Sequence, residues 1–300
     1  AVVDGNLIGT NVDATAQLVP WGTGVEAWSG SNIQIGTMAA GNVIAADWGI
    51  EGGADALTIE NNLIGTVDGY TADIGGNTPL ALFGDRLMLV DNVIGNWEKG
   101  VLIDAADAVV VGNTIGTDPT GTIDLGMAEY GIRVRTSSAT IGGDTAADAN
   151  IVAFNGGSGL DTDPGVNPTV LGNRFYSNGG LGIDIESDGT TVNSNVDTVL
   201  NHPVISVVSV TAGTITIDFT LDVPAGDYRI EAFSNPSGPD SSGNGEGEVF
   251  ETAATITHTG SGSEAFQLSY SGAPPDRVAL TATERATGPI YAAKSELSTT

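Results

Sequence analysis

A short phrase, Gly-Asn-Leu-Ile-Gly-Thr at residues 5–10, returns along the chain as GNVIAA, NNLIGT, DNVIGN and GNTIGT. Aligned on its asparagine, the repeat places Asn6, Asn42, Asn62, Asn92, Asn113, Asn150 and Asn173 in equivalent positions. The residue two places later is Ile8, Ile44, Ile64, Ile94, Ile115, Val152 or Phe175. Successive spacings are 36, 20, 30, 21, 37 and 23 residues, so long and short units mostly alternate. Self-similarity of this period indicates a solenoid, a propeller or an array. A unit of about 20 residues is too short for a four-stranded propeller blade, and the leucine or alanine patterns of other solenoids are absent. One coil of a parallel β-helix fits. The aligned apolar residues then point inward and stack at about 4.8 Å, while the asparagines form a hydrogen-bonded ladder along a turn.

A second phrase recurs at Gly24, Gly49, Gly100, Gly131, Gly159 and Gly182, each followed by alternating apolar and polar residues that read as another strand of each coil. Glycine at its head is expected to supply a sharp turn with positive φ. The long units carry inserts after IGT. Asp118, Pro119 and Gly121 in one of them occupy favoured places of a type I turn, so these inserts read as protruding loops. From Val204 the pattern changes to alternating strands separated by turns, the pattern of an antiparallel immunoglobulin-like sandwich. The fold expected is therefore all-β, with a right-handed parallel β-helix of seven or eight coils at 1–203 and a small antiparallel β-sandwich at 204–300.

Composition narrows the partners. With 37 acidic and 9 basic residues, the formal charge of −28 disfavours nucleic acid and anionic lipid. The chain has no cysteine, so its core is held by neither disulfides nor thiolate-bound metal. No apolar run approaches the length of about 18 residues that a membrane helix requires, so no membrane insertion is expected. No signal peptide is read either. Since the chain begins inside the repeat, it is expected to be a mature or truncated piece of a longer secreted precursor.

The stretch GNTIGTDPTGT at 112–122, then GIRV and TIGGDTAADANIV, resembles the coils of right-handed parallel β-helix repeat proteins of bacterial and archaeal surfaces, a pectate-lyase-like solenoid family. SNGGLGIDIESDG, followed by NHPVI, is similar to the solenoid end in such proteins, and YRIEAFSNPSGPDSSGNGEGEVF to the small domain that follows it. The resemblance implies a secreted, extracellular or cell-surface protein with a structural or adhesive role.

Parallel β-helices also carry polysaccharide-cleaving enzymes, so the chemistry of the candidate residues matters. Arg133 and Arg135 would project from one strand, with Asp161, Asp163 and Asp184 at matching places in later coils. That set could form a lyase base beside a calcium cluster, or a solvated ion-pair patch. The series NTD, DD, GHG and RIK of polygalacturonases is absent, and His202 falls in the linker. Trp21, Trp28, Trp48 and Trp97 are expected to be scattered in packing rather than aligned as a sugar platform. Calcium is the one cofactor considered. Asp184, Glu186 and Asp188 alternate before a glycine, and Asn193, Asn195 and Asp197 could add oxygens, although no closing glutamate follows at the expected place. A solvated acidic turn accounts for the same residues. Asp240, Glu246 and Glu248 form a second such set. The partners expected are copies of the chain joined head to tail through open strand edges, or extracellular polymers. Three functions follow as expectations: a structural or adhesive protein, including a filament subunit; a calcium-dependent polysaccharide lyase; and a non-catalytic glycan-binding adhesin.

Overall fold

The computed structural model describes residues 1–14, 16–18, 21–67, 69–70, 73–190, 192–194, 200–238, 246–285, 291–294 and 298–299. Three parallel sheets of seven strands each run along the first part of the chain. The chain visits them in turn, so each circuit adds one strand to every sheet: Val2–Val3, Leu7–Ile8 and Thr23–Ala27 make the first circuit. Thr169–Leu171, Arg174–Tyr176 and Ile183–Asp184 make the last. This is a parallel β-helix of seven coils.

Inward residues align from coil to coil because the strands pair in register. In the second sheet Ile8, Ile44, Ile64, Ile94, Ile115, Val152 and Phe175 form one row. All but Ile8 are at most 1% exposed. Along this one edge of the sheet, the apolar stack is the core.

The residue before the ladder asparagine explains the varied opening of the phrase. Gly5, Asn61, Asp91, Gly112 and Gly172 all have φ between 53° and 69°. Glycine, asparagine and aspartate are the residues that tolerate this left-handed conformation. The glycines at the head of the third-sheet strands work differently from the expectation. Gly24, Gly49, Gly100, Gly131 and Gly159 are not among the positive-φ residues. A Cβ on Gly49 would instead lie 2.3 Å from the Pro79 carbonyl oxygen, and one on Gly100 2.0 Å from that of Tyr130. They are glycine because the next coil passes too close for a side chain.

The insert containing Asp118 is folded around that residue. Its carboxylate accepts hydrogen bonds from the amides of Thr120, Thr122 and Ile123 and from the Thr120 hydroxyl. Burial alone would raise its pKa, but these donors outweigh burial and hold it at about 2. Because this value lies below that of an unfolded aspartate, about 3.9, the stability Asp118 contributes is complete above that pH. It is lost as pH falls toward 2. Thermal melts across this window are expected to show a decline that Asp118→Asn flattens.

From Val204 the strands are antiparallel and form two sheets. Val204–Thr211, Thr214–Leu221 and Glu264–Ser271 make one; Gly226–Ser234 lies between Val249–His258 and Val278–Arg285 in the other. Ile215, Ile217, Phe219, Tyr228, Ile230 and Leu280 pack between them.

The two ends of the solenoid differ. The sheet pair covers the last coil: the Phe175 amide donates to the Gly247 carbonyl at 2.9 Å, and the Gly172 amide to the Glu231 carboxylate at 3.0 Å. At the other end, each first-coil strand terminates its sheet, and Val2 and Leu7 are exposed.

Candidate functional site

The buried asparagines hold the first turn of every coil. Asn62 donates from its backbone and side chain to Asn92 Oδ1 at 3.0 and 2.9 Å, and Asn92 repeats this to Asn113 at 2.9 and 3.0 Å. The same pattern links Asn6 to Asn42, Asn42 to Asn62, Asn113 to Asn150 and Asn150 to Asn173. Each side-chain amide from Asn42 onward also reaches a strand carbonyl. These groups are fully engaged in structure, which leaves them no chemistry to offer a ligand.

A shorter ladder was not recognised in the sequence. Asn155 donates to Asn178 Oδ1 at 3.2 and 2.9 Å from its backbone and side chain. Asn178 donates in the same way to Glu246 Oε1 at 3.0 and 3.1 Å. Glu246, from the sheet pair, thus puts a carboxylate oxygen where the next asparagine would stand. Glu231, wholly buried, does the equivalent for Gly172, with Arg229 donating to it at 3.0 Å. The signal for either cap was absent locally, since each acid lies 59 to 69 residues beyond the amides it receives.

The described members of the proposed calcium set take different partners. Asp184 accepts from Ser158 Oγ and the Gly189 amide, and burial raises its pKa. Glu186 turns away at φ 73° and accepts from the Gly165 amide. Asn193 exchanges two hydrogen bonds with the His202 backbone. Asn195, Asp197 and Asp240 lie outside the described residues. Glu248 accepts from Ser237. Among the described residues no three acidic or histidine side chains form a group able to hold a metal.

The outer face of the third sheet carries the remaining candidates, and its register sorts them into two rows. The first row runs Glu26, Glu51, Ala81, Leu102, Arg133, Asp161, Asp184. Alternation along the strands places Trp28, Gly53, Phe83, Asp104, Arg135 and Asp163 in a second row, two residues further on. Arg133 grips Asp161 with two bonds, at 2.9 and 2.6 Å, and lies over the Tyr130 ring at 4.5 Å. Arg135 pairs with Asp163 at 3.2 Å. The hydrogen bond to Asp161 raises the pKa of Arg133, while burial raises that of Asp161 despite the arginine.

At the other end of the second row, Trp28 and Phe83 stack. Their ring centroids are 5.9 Å apart and their planes 19° from parallel, although their strands are separated by a whole coil. Gly53 stands between them in the register, with room for ordinary contact. A Cβ built there would lie 3.7 Å from the Trp28 ring and 3.5 Å from Phe83. Trp28 remains 51% exposed, and Glu26 is exposed beside it in the first row. The partner of Trp28 is a phenylalanine, not another tryptophan; Trp97 is buried in the core and Trp21 is exposed. The signal was present: Trp28 and Gly53 stand four residues after Gly24 and Gly49, as Phe83 stands four after Pro79.

No family model matches the chain, and no curated protein matches it. A solved structure to which it is similar is the full-length tailspike protein 2 of Escherichia coli O157:H7 bacteriophage CAB120, at 10% identity and a TM-score of 0.26. The match covers 95% of this chain and 49% of that one, so the chain spans about half of its length. Among the described residues, no helix is long and apolar enough to cross a membrane.

Proposed function

We propose that the chain is an extracellular or cell-surface scaffold that binds a neutral polysaccharide on the outer face of its third sheet without cleaving it. The observation that supports this reading is the Trp28–Phe83 pair, stacked across Gly53 beside Glu26 and Glu51. Sugar rings present apolar faces that lie against aromatic rings, while carboxylates such as Glu26 and Glu51 accept hydrogen bonds from their hydroxyls. The formal charge of −28 favours a neutral chain over an acidic one. The immunoglobulin-like reading of the sheet pair fits an end cap for the solenoid.

The lyase reading is disfavoured by the geometry of its own residues. A general base must be able to lose its proton, whereas Arg133 is held protonated by Asp161. Asp161 is in turn committed to that pair.

Titration with cello-, xylo- and manno-oligosaccharides tests the reading. At least one series is expected to bind, with Trp28→Ala and Phe83→Ala each weakening it roughly tenfold, and with no new reducing or unsaturated ends. Unchanged binding by Trp28→Ala, or release of sugar ends, would overturn it.

A further inference from the structure

A second site lies far along the chain from the aromatic pair, where the last coil meets the sheet pair. A cavity of about 480 Å³ opens there, within the usual range for small-molecule pockets, which favour such junctions. Ala146, Ala149, Val249 and Phe250 give it an apolar wall, and Arg174 and Arg229 stand in the lining. Two of the nine basic residues of a strongly acidic chain therefore meet in one cleft.

The two arginines are held differently. Arg229 donates to the buried Glu231 at 3.0 Å and reaches Asp144 across the junction at 2.9 Å, so its charge is already matched. Arg174 is fixed through Nε alone, which donates to the Glu248 carbonyl at 2.7 Å, with its guanidinium 5.4 Å from the centre of the Tyr176 ring. No acceptor among the described residues meets either of its terminal nitrogens. A guanidinium presents these in a fork that suits a carboxylate. Beside it, the Phe250 ring meets Phe233 edge-on at 5.7 Å between centroids and is still 38% exposed, so one side is open to an apolar body.

We infer that this cleft binds a small organic acid, its carboxylate on Arg174 and its aromatic or short aliphatic body against Phe250 and Val249. An anion is selected by the free fork of Arg174, and an apolar body by the wall. A polyanion is disfavoured, because the net charge of the chain repels it over distances at which one local arginine does not compensate. The site is independent of the sugar-binding reading and stands or falls without it.

Calorimetric titration of the whole chain with phenylacetate, and with 2-phenylethanol as its uncharged counterpart, tests the inference. Phenylacetate is expected to bind at least tenfold more tightly than the alcohol. Arg174→Gln should remove that preference, and Phe250→Ala should weaken the acid severalfold. Equal affinity for acid and alcohol, absence of binding by the acid, or an Arg174→Gln protein that keeps the preference would overturn it. Should Arg174→Gln fail to fold, Phe250→Ala at the exposed wall decides: unchanged phenylacetate binding by that variant contradicts the site.

Discussion

Replacing Asn92 by leucine is expected to lower stability by about 4 kcal/mol, a fall of roughly 10 °C in Tm, while Asn6→Leu changes it by less than about 1 kcal/mol. Asn92 is fully buried. Its Oδ1 receives the Asn62 amide and side chain, and its own side chain donates to the carbonyls of Ile59 and Val90. Leucine fills the space but strips the acceptor from the Asn62 amide and a donor from the Ile59 carbonyl. A buried group left without a partner costs about 1–3 kcal/mol, so two or more such losses give the stated total. Asn6 makes the same bonds on one side only: it donates to Asn42 and is exposed. Water replaces what leucine removes there. Paired thermal melts of the two variants check the contrast, and equal losses at both positions would show that asparagine contributes something other than the ladder.

The second large effect concerns the cap. Glu246→Ala is expected to release the sheet pair from the last coil, at a cost of about 3–5 kcal/mol. Its carboxylate receives the amides of Ser177 and Asn178 and the Asn178 side chain, the two bonds from Asn178 in the interior. Glu246→Gln keeps one oxygen for Asn178 but turns a second donor toward the Ser177 amide, so an intermediate loss is expected. Local hydrogen exchange distinguishes release from global unfolding. Amides of residues 172–178 should exchange faster in Glu246→Ala, while those of the middle coils, such as Ile94 and Ile115, stay protected. Uniform acceleration along the solenoid would contradict a role confined to its end.

These two predictions also mark how far the sequence could be read. The ladder was legible because its chemistry repeats: a turn that needs a left-handed residue, then an asparagine, then an inward apolar side chain, all within four positions. Seven repetitions make the period visible despite coil lengths that vary between 20 and 37 residues. The caps were not legible. Glu231 and Glu246 are two acids among 37, and only the return of the chain onto the last coil distinguishes them.

The aromatic pair was hidden for another reason. Its members belong to different coils, and in the third coil Pro79 replaces the glycine that heads the other strands, which masks the common offset. The acidic alternation from Asp184 to Asp188, read as the start of a calcium loop, does not continue as a strand. The chain instead leaves the strand after Asp184 and bends through a short 3-10 turn at Ile185–Ser187, where Glu186 adopts a positive φ. The Asp184 and Glu186 carboxylates then accept from separate donors.

Hydroxyl-radical footprinting of the tryptophans tests the central claim most directly, with Trp21 as an internal reference, since both it and Trp28 are exposed. With whichever cello-, xylo- or manno-oligosaccharide binds, oxidation of Trp28 should fall severalfold while Trp21 reacts as before. Oxidation of Trp28 unchanged by saturating sugar, or protection of Trp21 alone, would contradict binding on the outer face of the third sheet.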